Sequence, residues 1–170
     1  MKMIRSKLIM VKEKDIEYEK LSSPYSVYEF LKEKLELHKE PEEVVMLLSL
    51  DNKKNLVSCC EVSRGTTDKA ILSPRDVYKR ALVSNAMFII LAHNHPTGNA
   101  TPSNQDKFIT RAIKEAGEIL DLKLLDHIVV GEKNYYSFYE ENPELVEKEE
   151  STGFYNQYIE KKKDDLERSM

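Results

Sequence analysis

Residues 88–106, FIILAHNHPTGNATPSNQD, pass from an apolar run through two histidines into a Gly- and Pro-containing loop that ends in an aspartate. The run AMFIILA (86–92) is too apolar for a half-exposed strand and reads as a strand covered on both faces. His93 and His95 are two apart, so at the end of such a strand both imidazoles project to one side. A lone buried histidine is ordinarily a hydrogen-bonded core residue. Two on one face, entering a glycine-containing loop, are a candidate ligand pair, because neutral imidazole is the commonest transition-metal ligand.

The segment that follows, PSNQDKFITRAI (102–113), carries a helix start with Ser103 at the N-cap and Asp106 at N3. That is a capping box with Asp in place of Glu, and its carboxylate suits the positive end of the helix dipole. The same first turn aims Asp106 back toward the strand end that carries the histidines. Two imidazoles and one carboxylate leave a fourth position open, which is the layout of a catalytic zinc site. The same donors also suit iron(II). Phe108, Ile109, Ala112, Ile113, Ala116, Ile119 and Leu120 then recur at helical spacing and predict the clearest helix in the chain. The letters H-N-H at 93–95 are coincidental with the nuclease motif so named, and Asn94 is expected to point away from its neighbours.

Working outward, EVVMLLSLD and KNLVSCCEVSRGT read as two strands of a hairpin turning at Asp51–Lys54, with Gly65 permitting a tight bend or close substrate approach. SPRDVYKRALVSNA reads as a helix with Ser73 as N-cap, Pro74 at N1, Asp76 completing a capping box, and an apolar face of Val77, Tyr78, Ala81 and Leu82. KLIMVKEKD predicts a first strand. SVYEFLKEKLELHKE predicts a helix with Val27, Phe30, Leu31, Leu35 and Leu37 as its apolar positions and a solvated His38 at its end. KLLDHIVVGEKNYYSFYE predicts a strand, a Gly-containing turn and a last strand. Within it His127 reads as a packed residue behind the ligands, and Asp126, on the opposite face, needs a partner if buried. The order of elements is mixed, with helices flanking a central sheet.

The 170 residues suit one domain, and 41% apolar with 33% charged content is ordinary for a folded protein. A net charge of −4 argues against a domain whose main task is gripping nucleic acid. No apolar run approaches the roughly 20 residues a membrane span needs, and LIMV (8–11) is too short for a signal peptide core. Adjacent Cys59 and Cys60 make no disulfide framework and read as small buried thiols facing opposite sides of a strand, which suits the cytoplasm. Past about residue 142 the composition shifts to Glu and Lys.

His93, His95, Ser103 and Asp106 together spell H-x-H, seven residues, S, two residues, D. This resembles the signature of the JAB/MPN+ (JAMM) metalloprotease superfamily, and the segments HNHPTGNATPSNQD, VSRGTTDKAILSPRDVYKRAL and LLDHIVVG look like its RadC-like branch. Similarity runs from about Glu42 to Phe138. The resemblance implies an α/β fold of the α+β type, a central mixed sheet flanked by helices in the JAB/MPN (cytidine-deaminase-like) core. It implies one Zn²⁺ per chain on His93, His95 and Asp106, and an upstream glutamate as general base. Glu43 matches that position, with Glu42 and Glu61 as alternatives. Ser103 is implied as a hydrogen-bond donor to the oxyanion.

The expected organisation is an N-terminal strand and helix packed on the core (1–41), the metal-binding domain (42–140) and a charged C-terminal extension (141–170). The expected activity is hydrolysis of a peptide or isopeptide bond in a protein substrate by a metal-activated water. The rival reading is a non-catalytic or DNA-processing accessory domain that keeps its metal site. Longer RadC-like proteins carry a DNA-binding region ahead of this domain, and the short segment before Glu43 has no Gly-containing hairpins of that kind. Nucleic-acid binding by this chain alone is therefore not expected, nor is a membrane.

Overall fold

The computed structural model describes residues 13, 15–18, 20–65, 72–147 and 155–168. At its centre is a five-stranded mixed sheet in the order β2-β1-β3-β4-β5. The strands are β1 (Glu43–Leu50), β2 (Leu56–Gly65), β3 (Phe88–Asn94), β4 (Lys123–Val130) and β5 (Tyr135–Ser137). The helices are α1 (Pro24–Glu29), α2 (Pro74–Val83), α3 (Asn104–Leu120), α4 (Phe138–Glu141) and α5 (Asn156–Arg168). β1 pairs antiparallel with both β2 and β3, β3 and β4 are parallel, and β5 runs antiparallel to β4. The hairpin turn forms because Asp51 Oδ1 accepts from the backbone N–H groups of Lys53 and Asn55 while Lys54 takes a left-handed φ of 62°. A parallel pair needs a crossover, and α3 supplies it between β3 and β4.

Alternating strand residues feed two apolar cores. On one face Val45, Leu47, Ile89, Leu91 and Val129 meet Val77, Tyr78 and Ala81 of α2 and Ile109 and Ile113 of α3. On the other, Val44, Leu48, Ile90, Ala92 and Ile128 meet Val27, Tyr28, Phe30, Leu31 and Leu37. Cover on both faces is why β3 and β4 are apolar almost without alternation. This is the mixed α/β architecture that the sequence predicts. Among the described residues no helix is long and apolar enough to cross a membrane.

Several elements differ from the sequence reading. The helix expected over 26–40 stops early: α1 passes into one π turn (Phe30–Lys34), the chain reverses at Glu36 with φ 50°, and a 3₁₀ turn covers Leu37–Lys39. In a straight α-helix Leu31 and Leu37 would lie roughly 120° apart around the axis, and the break lets both enter one core. His38 is half-buried rather than solvated, its Nδ1 buried without a hydrogen-bond partner among the described residues. On α3 the buried stripe is Asp106, Ile109, Thr110, Ile113 and Gly117. Phe108 (66% exposed) and Ile119 (86%) lie on the opposite side, and Leu120 and, on α2, Leu82 are also exposed.

The last strand is shorter than expected. Ser137 ends β5 and its hydroxyl accepts from Glu140 N to start α4. At α2, Ser73 Oγ accepts from Asp76 N and donates to the Asp76 carboxylate, so the Asp returns to the cap hydroxyl. Cys59 and Cys60 are half-buried on an edge strand, one against each core, so they do face opposite sides. The strand expected in KLIMVKEKD lies outside the described residues except for Glu13 and Asp15. Packing continues past the composition shift at 142: Leu145 and Val146 are buried, and Glu147 N donates to Leu124 O.

Asp126 is fully buried on β4 and has the partners its burial demands. Its carboxylate accepts from His127 N (2.7 Å), Tyr139 N (2.9 Å), Ser137 Oγ (2.7 Å) and Tyr155 Oη (3.4 Å). Burial nevertheless pushes its pKa up to about 7, against the pull of those donors. A carboxyl raised in the fold favours the unfolded chain as pH climbs from its unfolded value toward its folded one. Urea unfolding is therefore expected to show a loss of about 2 kcal/mol between pH 5.5 and 7.5 in wild type. In Asp126→Asn that slope is expected to flatten, and an unchanged slope would rule out Asp126 as its source.

Candidate metal centre

β3 runs out at Asn94, beside the start of β1 and the end of β4. Val45 stands opposite His93 across the antiparallel pair. Alternation then puts Glu43 on the same face as His93 and His95, with Gly65 opposite Glu43 at the end of β2. Asn94 points the other way, as the sequence predicts, and is buried. Its Oδ1 accepts from Val44 N (2.8 Å), and its Nδ2 donates to Glu40 O (3.1 Å) and Glu42 O (2.9 Å). One amide thus clamps the backbone on either side of Glu43. Glu42 and Glu61, the alternative positions, lie against Arg64 at 4.0 and 2.8 Å.

Beyond β3 the loop is seated on the β4–β5 turn. His95 N donates to Val130 O, Gly98 N to His95 O and Glu132 N to Gly98 O. Gly98 has φ +75°, and a side-chain carbon on Gly131 would lie 2.7 Å from Gly98 O, so glycine is required at both places. His95 Nδ1 lies 2.7 Å from Asn99 O. A carbonyl only accepts, so Nδ1 carries the proton and Nε2 presents a lone pair.

The first turn of α3 fixes the third group. Asp106 N donates to Ser103 Oγ (3.1 Å), while Asp106 Oδ2 accepts from Ser103 N (2.6 Å) and Ser103 Oγ (2.7 Å). His93 Nε2 and His95 Nε2 are 3.0 Å apart. Asp106 Oδ1 is 3.5 Å from the first, and its Oδ2 is 3.5 Å from the second. All three donor atoms lie within 4.8 Å of one another. His93 and Asp106 are buried and His95 is half-buried, so the centre opens on the His95 side.

Burial alone would raise the Asp106 carboxyl. The facing imidazoles of His93 and His95, with the Ser103 hydroxyl, more than reverse this and hold it well below the usual carboxylate range. His95 is raised, chiefly by the facing Asp106 carboxylate, against burial and with help from the Asn99 carbonyl and the Glu43 charge. When both rings are neutral, their Nε2 atoms and the ionised carboxylate could hold a divalent cation. His127 is not part of it: its Nε2 lies 2.8 Å from His93 Nδ1, behind that ring. Sequence reasoning missed Asn94 as a clamp and Thr110 as a buried group of the centre. The signal for Thr110 was its place one helical turn after Asp106.

Asn94→Ala leaves the buried Val44 N–H and two carbonyls without their partner. It is expected to cost about 1–3 kcal/mol in urea unfolding; a change under about 0.5 kcal/mol would show that the clamp is dispensable.

Comparison with known proteins agrees with this arrangement. The family described as RadC-like JAB domain matches residues 21–143, which takes in α1 as well as the sheet and the centre. A UPF0758 protein of Thermotoga maritima is 42% identical over 123 residues, covering 72% of this chain and 54% of the relative. A UPF0758 protein of a Janthinobacterium species is 45% identical over 120 residues, covering 71% of this chain and 53% of the relative. The chain spans about half the length of the curated relatives it matches. With its family match extending over most of the sequence and its sheet, helices and His-His-Asp cluster in place, the chain belongs to the RadC-like JAB domain family.

Proposed function

We propose that the chain is a zinc-dependent hydrolase cleaving an amide bond, peptide or isopeptide, in a protein substrate. The observation that supports this best is the meeting of His93, His95 and Asp106 within 4.8 Å, on the face that Glu43 shares. His93, His95 and Asp106 would hold one ion per chain. Bound there, zinc supplies Lewis acidity toward a water and the scissile carbonyl.

Glu43 takes the proton of the attacking water and delivers it to the leaving amine. Its charge already reaches His95, and in the described residues no guanidinium or ammonium pairs with it. The single hydroxyl proton of Ser103 is directed at Asp106. Donation to an oxyanion would require Ser103 to release that bond when substrate enters. The net charge of −4 favours a protein over a nucleic acid as substrate. The two free cysteines suit a reducing compartment, the cytoplasm.

Protein purified without added metal is expected to carry zinc in wild type and in Glu43→Gln, and none in His95→Ala. Equal zinc in His95→Ala would remove the ligand assignment. In a screen of peptide and isopeptide probes, Glu43→Gln is expected to lose about 10²–10⁴-fold in turnover. Metal uptake with no hydrolysis in wild type would assign the centre a structural role instead.

A further inference from the structure

His127 and Thr110 lie behind the ligands, both buried, and neither has a place in the chemistry above. His127 projects from β4 onto the same face as His93, and its ring stacks on Phe138 with centroids 5.0 Å apart and planes 12° from parallel. Three contacts join it to the centre. Thr110 Oγ1 lies 2.5 Å from Asp106 O, His127 Nδ1 lies 2.7 Å from Thr110 Oγ1, and His93 Nδ1 lies 2.8 Å from His127 Nε2.

Counting protons along this chain leaves one arrangement for neutral rings. The Asp106 carbonyl can only accept, so it takes the one proton of the Thr110 hydroxyl. The hydroxyl oxygen must then accept from His127 Nδ1–H. His127 Nε2 is left with a lone pair, which accepts from His93 Nδ1–H. His93 Nε2 therefore bears a lone pair and faces that of His95 across 3.0 Å, with no proton to share between them. Two acceptors at that distance beside a carboxylate repel unless a cation lies among them.

We propose that the Thr110 hydroxyl and the His127 ring are positioning residues that fix the tautomer of His93, so that Nε2 faces the ion in advance of binding. The backbone carbonyl that starts the relay belongs to Asp106, so one ligand sets the protonation pattern of another through a chain of three hydrogen bonds. Phe138 holds the plane of the middle ring. Groups behind a ligating histidine commonly matter to metal affinity by a factor of about 10–100.

The proposal rests on the metal reading of the centre and is independent of hydrolysis. Its first test is the tautomer of His93 in metal-free wild-type protein, read by long-range ¹H–¹⁵N NMR of the imidazoles. The proton is expected on Nδ1 in wild type and redistributed to Nε2 in Thr110→Val. A proton on Nε2 in wild type would overturn the relay even if no variant folds. The second test is Co²⁺ and Zn²⁺ affinity by chelator competition. Thr110→Val and His127→Phe are expected to weaken binding by about 10–100-fold, while Thr110→Ser, which keeps the hydroxyl, is expected to stay within about threefold of wild type. Equal affinity in wild type and Thr110→Val would overturn the relay while leaving the ligands in place. Failure of wild type to take up either ion would overturn the metal reading itself.

Discussion

The carboxylate of Asp106 closes the first turn of α3 and faces two histidines at the same time, and the rest of the centre is arranged around that double engagement. A buried carboxylate is costly to ionise unless donors surround it. Here the donors are the backbone N–H and hydroxyl of Ser103, with the helix start adding its own positive end. The consequence is mechanical as well as electrostatic. The carboxylate is rigid because the cap is rigid, and the cap is placed by Ile109 and Ile113 packing α3 onto the sheet. A slip of the helix along the strands would separate Asp106 from the two histidines without altering any of them.

The parts of this arrangement that were legible in the sequence are the local ones. Two histidines spaced for one face of a strand, and a serine and aspartate spaced for a helix start, lie within 14 residues of one another. Their geometry follows from strand alternation and cap chemistry. Glu43 was reached only through family resemblance, because its relation to His95 is set by the pairing of β1 with β3, half a hundred residues apart. Asn94, Thr110 and His127 are polar residues inside apolar elements, and each finds its partners at long range or through packing. The apolar face of α3 was misread for a related reason. Apolarity marked a wide arc that included Phe108 and Ile119, whereas the helix meets the sheet along a narrow stripe in which Asp106 and Thr110 take two of the places.

The charges at the start of β1 are sorted by face in a way that singles out Glu43. Arg64, at the end of β2, gathers Glu40, Glu42 and Glu61. These pairs are largely solvated and contribute little to stability. Arg64 stands opposite Val44, so this cluster lies on the face away from the histidines, and among the described residues no cation pairs with Glu43, whose charge reaches His95. The Asn94 amide holds the intervening backbone so that Glu42 and Glu43 stay on opposite sides of the strand.

The stacking of Phe138 on His127 ties the centre to a segment made long after its ligands. During synthesis the two histidines and the aspartate leave the ribosome first, followed by the strand bearing His127, and the ring behind His127 emerges last. A nascent chain that stops short of Phe138 holds His93, His95 and Asp106 yet lacks the ring on which His127 stacks. On the proposed metal reading, tight ion binding would then await completion of the sheet.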